Sequence, residues 1–219
     1  LTSETLDWLN RYVKKDPSVD TGPTFQWVDQ RGAFYSSDVM PTDPGFYGTP
    51  INDTGAGGFM PIVPIIGGSG PYGNPLALEN SLPIPTKASN AINVPLDLPA
   101  GTTQVVGAPV VTLHYSGLGT GRFVYGQIVD KNTGRVVGNV VTPIPVTLDG
   151  QVRDVTVNLE DIAYTAEPGD ALLLQLVGSA TPYQSFSSFG FINVSSVGVS
   201  LPTVGATVAP DNSTAAGAG

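Results

Sequence analysis

The sequence has no cysteine and a single histidine, His114, among 219 residues. Without cysteine there is no disulfide framework, no thiolate nucleophile and no cysteine-ligated zinc. With one histidine the commonest general base is almost missing, so thiol chemistry and most acyl transfer lie beyond this stretch acting alone. Charge is scarce as well. Only 12% of residues are charged, 9 basic against 18 acidic, for a formal net charge of -9. With no Lys/Arg cluster, nucleic acid is not expected as a partner. No apolar run approaches the ~20 residues a membrane-spanning helix needs. The apolar segment 58–67, GFMPIVPIIG, is short and is interrupted by Pro61 and Pro64. No Met-initiated basic and apolar leader is expected within these residues.

What is present is apolar and turn-rich. Hydrophobic residues make up 41%, with 27 glycines and 20 prolines. A chain of this kind can bury a real core as one all-β domain with an extension. Its polar surface must come from Thr, Ser, Asn, Gln and backbone. Such a surface suits a secreted or cell-envelope protein, or one largely covered by a partner.

The convincing helix signal is at residues 2–15. Thr2 or Ser3 can cap the free N–H groups, Glu4 and Asp7 suit the positive helix end, and Lys14 and Lys15 the negative one. Leu6, Leu9 and Val13, flanked by Trp8 and Tyr12, form an apolar stripe at helical spacing. Asp16-Pro17 is the expected stop. A lone amphipathic helix needs a cover. Opening on Leu1 directly before it, the chain is expected to continue a longer polypeptide that supplies one.

A strand at 24–29, a turn at Arg31-Gly32 and Ala33-Phe34-Tyr35 predict a hairpin. Residues 41–101 show no sustained period of 2 or 3.6. Their apolar patches (59–66, 76–78 and Ile84) predict an ordered strap over a neighbouring surface, with short β pieces, rather than a solvated linker. From Val105 the pattern is β. Val111, Leu113 and Tyr115 alternate with Val110, Thr112 and His114. Asn132-Thr133-Gly134 predicts a turn into a strand at 135–141. Asp149-Gly150 predicts a hairpin between 144–148 and 152–159. Glu167-Pro168-Gly169-Asp170 predicts a turn into a central strand at 171–177, and 189–201 ends the series. Short strands every 8–12 residues indicate a mainly β fold, a jelly-roll β-sandwich. The small-residue end, 209–219, is expected to be a flexible tail.

Candidate chemistry is thin. His114 lies in mid-strand, with no acid or nucleophile close in sequence to make a triad, and reads as a solvent-face or hydrogen-bonded sheet histidine. Ser69, in Gly67-Gly68-Ser69-Gly70-Pro71, imitates a nucleophile elbow until Pro71 replaces the required glycine. The Gly55-Ala56-Gly57 and 117–121 tracts read as turn glycines rather than phosphate loops. Glu160, Asp161, Glu167 and Asp170 read as a solvated acidic edge, without calcium-loop spacing. No catalytic, metal or cofactor-binding residue is assigned and no cofactor is expected. Trp27, Tyr35, Tyr183 and Phe186 are the candidate ligand- or interface-facing aromatics.

The order of these pieces resembles the C-terminal region of the X-Pro dipeptidyl-peptidase and cocaine esterase-like serine hydrolases. TLDWLNRYVKK (5–15) looks like the family's last α/β-hydrolase helix, and DTGPTFQWVDQRG (20–32) like its exit into the β domain. Within 105–202, the segments VVGAPVVTLHYSG, VTPIPVTLDG and AYTAEPGDALLLQLVGSATPY resemble the family's jelly-roll domain, often called galactose-binding-like. GGFMPIVPIIGGSGP (57–71) is similar to a connector in actinobacterial members.

The resemblance implies that residues 1–16 are the last helix of an upstream α/β-hydrolase domain. Residues 17–40 are then connecting strands, 41–104 the strap, 105–204 the jelly-roll core and 205–219 the tail. It also implies that serine, acid and histidine lie in that upstream domain of the same polypeptide. This chain, not an enzyme by itself, would then cover the hydrolase domain and shape its substrate cleft. Two alternatives stand beside this reading. One is a carbohydrate- or cell-envelope-binding module. The other is an extracellular assembly subunit, for which homo-oligomers are the expectation.

Overall fold

The computed structural model describes residues 2–64, 67–70, 84–183 and 185–211. The chain divides into two compact units, Leu1–Phe46 with Val208–Gly219, and Tyr47–Thr207.

In the first unit, α1 (Thr2–Trp8) continues into a wider π-type turn over Leu9–Val13. The predicted stop comes slightly early, because Lys15 turns left-handed at φ 60° before Asp16-Pro17 is reached. Leu6, Trp8, Leu9, Tyr12 and Val13 are all exposed. The predicted hairpin is present as β1 (Phe25–Val28) and β2 (Phe34–Ser37), with Trp27 opposite Tyr35. Asp29 holds its turn. One carboxylate oxygen accepts the Arg31 and Ala33 N–H groups at 2.8 and 3.0 Å, and the other accepts the Tyr35 hydroxyl at 3.0 Å. Within the same unit the Asp211 N–H donates to the Phe34 carbonyl at 2.7 Å.

The second unit is an antiparallel β-sandwich. One sheet runs β10 (Arg153–Asn158), β7 (Val110–Gly119), β13 (Gly190–Leu201), with β3 (Ile51–Gly55) and β4 (Gly58–Ile62) sharing the far side of β13. The other runs β5 (Ala91–Leu96), β12 (Leu172–Val177), β8 (Phe123–Asp130), β9 (Thr142–Pro145). A separate pair joins β6 (Thr103–Gly107) to β11 (Ile162–Ala166). The inner faces supply one core, including Met60, Ile92, Val94, Leu113, Tyr115, Ile128, Leu174 and Ile192. The alternation read along β7 and the central place of β12 both appear in the structure. β12 is buried along its whole length between β5 and β8.

The short β pieces expected in the strap are β3, β4 and β5, which join both sheets, so strand pairing begins well before residue 105. Pro61 and Pro95 hid the period of β4 and β5, and both sit on sheet edges, where a missing N–H is tolerated. Two other expectations are corrected. Residues 135–141 are not a strand. Gly138 and Asn139 take φ of 69° and 54°, which folds the chain into a short 3₁₀ turn. Asp149-Gly150 turns, with Gly150 at φ 85°, but does not close a hairpin. β9 pairs with β8 in one sheet and β10 with β7 in the other, so this turn is a corner between sheets.

On its central strands, β8 and β12, the outer face of the β5–β12–β8–β9 sheet is also buried. Tyr125, Gln127 and Val129 of β8 stand opposite Val177, Gln175 and Leu173 of β12. The two glutamines join a closed network. Gln127 donates to the Gln175 amide oxygen and to the Thr86 carbonyl, each at 2.9 Å, and accepts the Ser69 hydroxyl at 2.6 Å. Gln175 exchanges bonds with the Ala88 N–H (2.9 Å) and carbonyl (3.1 Å), and donates to Asn93 at 2.8 Å. Described strap residues 69 and 86–88 thereby cover the sheet. Residues 76–78 and the tail beyond 211 lie outside the described residues.

Leu174 is fully buried between the sheets. Leu174→Ala should destabilise the chain by about 2–5 kcal/mol in urea unfolding, as loss of a core leucine does elsewhere. Gln175→Leu should cost about 1–3 kcal/mol, because it leaves Ala88, Asn93 and Gln127 with unmatched polar atoms.

Candidate functional site

The four candidate aromatics separate in the structure. Trp27 and Tyr35 are 6% and 5% exposed. Their rings stack at 5.5 Å and 11°, while Phe25 and Phe46 pack on Trp27 at 5.6 and 6.2 Å. Their faces are occupied by one another. Tyr183 and Phe186 are instead 44% and 70% exposed, in the loop leading to β13.

Tyr183 belongs to a cleft of about 550 Å³. It ends a short 3₁₀ turn, Thr181–Tyr183, and stacks on Tyr125 of β8 at 5.7 Å and 14°. The Tyr125 hydroxyl donates to the Tyr183 carbonyl at 3.2 Å. Burial raises the Tyr125 phenol above its ordinary pKa, and the neighbouring Tyr183 adds to the shift, so the phenol stays a neutral donor. Thr120 fixes the other end of the loop. Its hydroxyl donates to the Ser187 carbonyl at 2.6 Å and accepts the Phe189 N–H at 3.1 Å. Arg122, Phe123 and Ser188 complete the working surface. Sequence reasoning missed Arg122 and Tyr125, because only folding brings β8 against the loop 60 residues further on.

His114 does have an acidic neighbour. Asp154, directly across on β10, lies 2.6 Å from Nδ1, correcting the expectation that no acid was near. Sheet register aligns residues 40 positions apart, which no local motif reveals. Ser196 of β13 is the register partner of His114 on the opposite side. The three lie on a sheet face, with His114 and Asp154 side chains 45% and 71% exposed, and no described pocket includes them. The reading of His114 as a hydrogen-bonded sheet histidine fits this geometry.

Ser69 is 3% exposed and bound to Gln127, so its resemblance to a nucleophile ends in packing. The acidic group is split by the length of β11, about 17 Å for five residues. Glu160 and Asp161 precede that strand, while Glu167 and Asp170 follow it. Gly57 and Gly119 sit where a Cβ would meet the Val194 and Phe189 carbonyl oxygens at 2.2 Å, which accounts for those glycines without a phosphate.

The fold recurs in solved structures. An aminopeptidase from a marine sediment Thaumarchaeota archaeon matches with a TM-score of 0.59 and 13% identity, over 91% of this chain and 43% of its own. A CocE/NonD family hydrolase from Staphylococcus aureus matches at 0.58 and 10%, over 93% and 46%. An α-amino acid ester hydrolase matches at 0.62 and 15%, over 90% and 44%. What is shared is the fold. The chain spans just under half the length of these enzymes. No family model matches the sequence, and no match is found among curated proteins.

Charge at the sheet corner is well defined. The Arg153 guanidinium donates to both Asp149 carboxylate oxygens, at 3.3 and 2.5 Å, and the Gln151 N–H adds a third bond. These bonds pull Asp149 down to about 2. A carboxyl lowered on folding contributes stability that is complete above its unfolded pKa, about 3.9. That contribution is lost as pH falls through about 2. Carboxyl NMR titration should find the low value, and Arg153→Gln should return Asp149 toward the ordinary aspartate range.

Proposed function

We propose that this chain is the C-terminal β-sandwich portion of a serine hydrolase of the X-Pro dipeptidyl-peptidase and cocaine-esterase kind. In this reading it covers an α/β-hydrolase domain of the same polypeptide and helps to wall the substrate cleft. The observation that carries the proposal is the fold. It is shared over 90–93% of this chain with enzymes of which it covers only 43–46%. The exposed stripe Leu6, Leu9, Val13 with Trp8 supports it, since such a helix face is stable in water only when something covers it.

The chemistry fits a division of labour. Ser69 is buried against the outer face of a sheet, and the His114–Asp154 pair lies on an open face. Hydrolysis would use a serine elsewhere in the polypeptide. Its hydroxyl oxygen attacks the ester or amide carbonyl while a histidine takes the proton and returns it to the leaving group. Water then releases the acyl group by the same route. A secreted or envelope location accords with the low charge content and the absence of cysteine.

The test compares the 219-residue chain with the full polypeptide on aminoacyl-prolyl anilides and simple esters. The expected outcome is turnover and fluorophosphonate labelling by the full polypeptide, and neither by the chain alone. Covalent labelling of a serine within this chain would sink the proposal. Loss of the apolar stripe, by Leu6→Ser with Leu9→Ser, should lower the melting temperature of the full polypeptide.

A further inference from the structure

The Tyr125–Tyr183 cleft has features that covering a hydrolase domain does not require. Arg122 lines it, and its guanidinium makes no hydrogen bond or ion pair among the described residues. Arg122 is not the only cation of this chain without an ion pair among the described residues, but it is the one that lines this cleft. No acidic side chain lines the cleft among the described residues. An arginine fork held without a counter-charge favours a planar oxyanion, above all a carboxylate.

The rest of the lining narrows the ligand. Tyr183 is backed by Tyr125 in a parallel stack, so one ring face is fixed and the ring remains 44% exposed. Phe123 adds a second half-exposed ring. A flat apolar face of this kind suits the C–H face of a sugar ring. Around it stand hydroxyls with capacity to spare. Ser188 makes no side-chain hydrogen bond among the described residues. Ser185 and Ser187 share one bond at 3.2 Å, which leaves one of their two protons free. Because Tyr125 and Thr120 tie the loop at both ends, the surface is set before any ligand arrives, which limits the ordering cost of binding.

We propose that this cleft binds a uronic acid residue of an acidic polysaccharide. The carboxylate meets Arg122, the ring lies against Tyr183 and Phe123, and the ring hydroxyls meet the serines. The site goes beyond the hydrolase reading and does not depend on it.

The test titrates the full chain with tetragalacturonate, following backbone amides by NMR, with cellotetraose and benzoate as comparison ligands. Tetragalacturonate should give saturable shifts at Arg122, Tyr183 and Ser188, and added salt should weaken them. Arg122→Gln should lower the affinity about tenfold or more, the loss of one charge-assisted bond. Tyr183→Ala should weaken binding by a comparable factor. Ser188→Ala, which removes one hydroxyl without disturbing the stack, should weaken it less. Absence of shifts at the cleft, equal binding of cellotetraose, tighter binding of benzoate, or unchanged affinity in Arg122→Gln would each overturn the proposal.

Discussion

Two glutamine side chains on the outer face of one sheet govern the architecture of the larger unit. Gln127 and Gln175 stand opposite each other on central strands, and both are buried. A buried amide without partners is costly, so something polar must cover that face. The strap does so: the Ser69 hydroxyl donates to the Gln127 amide oxygen, and the Thr86 and Ala88 carbonyls each accept one amide proton. A segment with little local structural preference is thus fixed by hydrogen-bond demand from the sheet beneath it. The same demand explains why Ser69, in a sequence context that imitates a nucleophile, is a packing residue.

The sandwich itself follows ordinary sheet physics. Alternating apolar residues on β7, β13, β8 and β12 close one core between two sheets. The prolines of β4 and β5 fall on edges, where they also discourage further strand pairing. Asp149 and Arg153 brace the place where the chain leaves one sheet for the other. The exposed chemistry lies at the end of β8, where the loop before β13 is tied down by Thr120 and Tyr125.

Much of the fold was legible in the sequence. The alternation of β7, the unbroken apolar run of β12, the hairpin around Arg31-Gly32 and the N-terminal helix are local signals, and each appears in the structure. The strap strands were not legible, since Pro61 and Pro95 mask a period of two. The Asp149-Gly150 turn was legible as a turn, but its partner strands were not. Of the cleft, the sequence indicated Tyr183 and nothing more; Phe186, singled out with it, is exposed in the same loop but does not line the cleft. Trp27 and Tyr35 looked equivalent to them, and burial separated the pairs.

The sequence by itself determined the class: a β-rich chain without cysteine, with one histidine and no local catalytic motif. Those properties depend on residue type and short spacing, which no tertiary arrangement alters. Tertiary structure decided which side chains meet. Strand register brought Asp154 to His114 across 40 residues, and loop closure brought Tyr183 onto Tyr125 across 58. Such meetings depend on which strands pair and which faces are buried, and that information is distributed over the whole core.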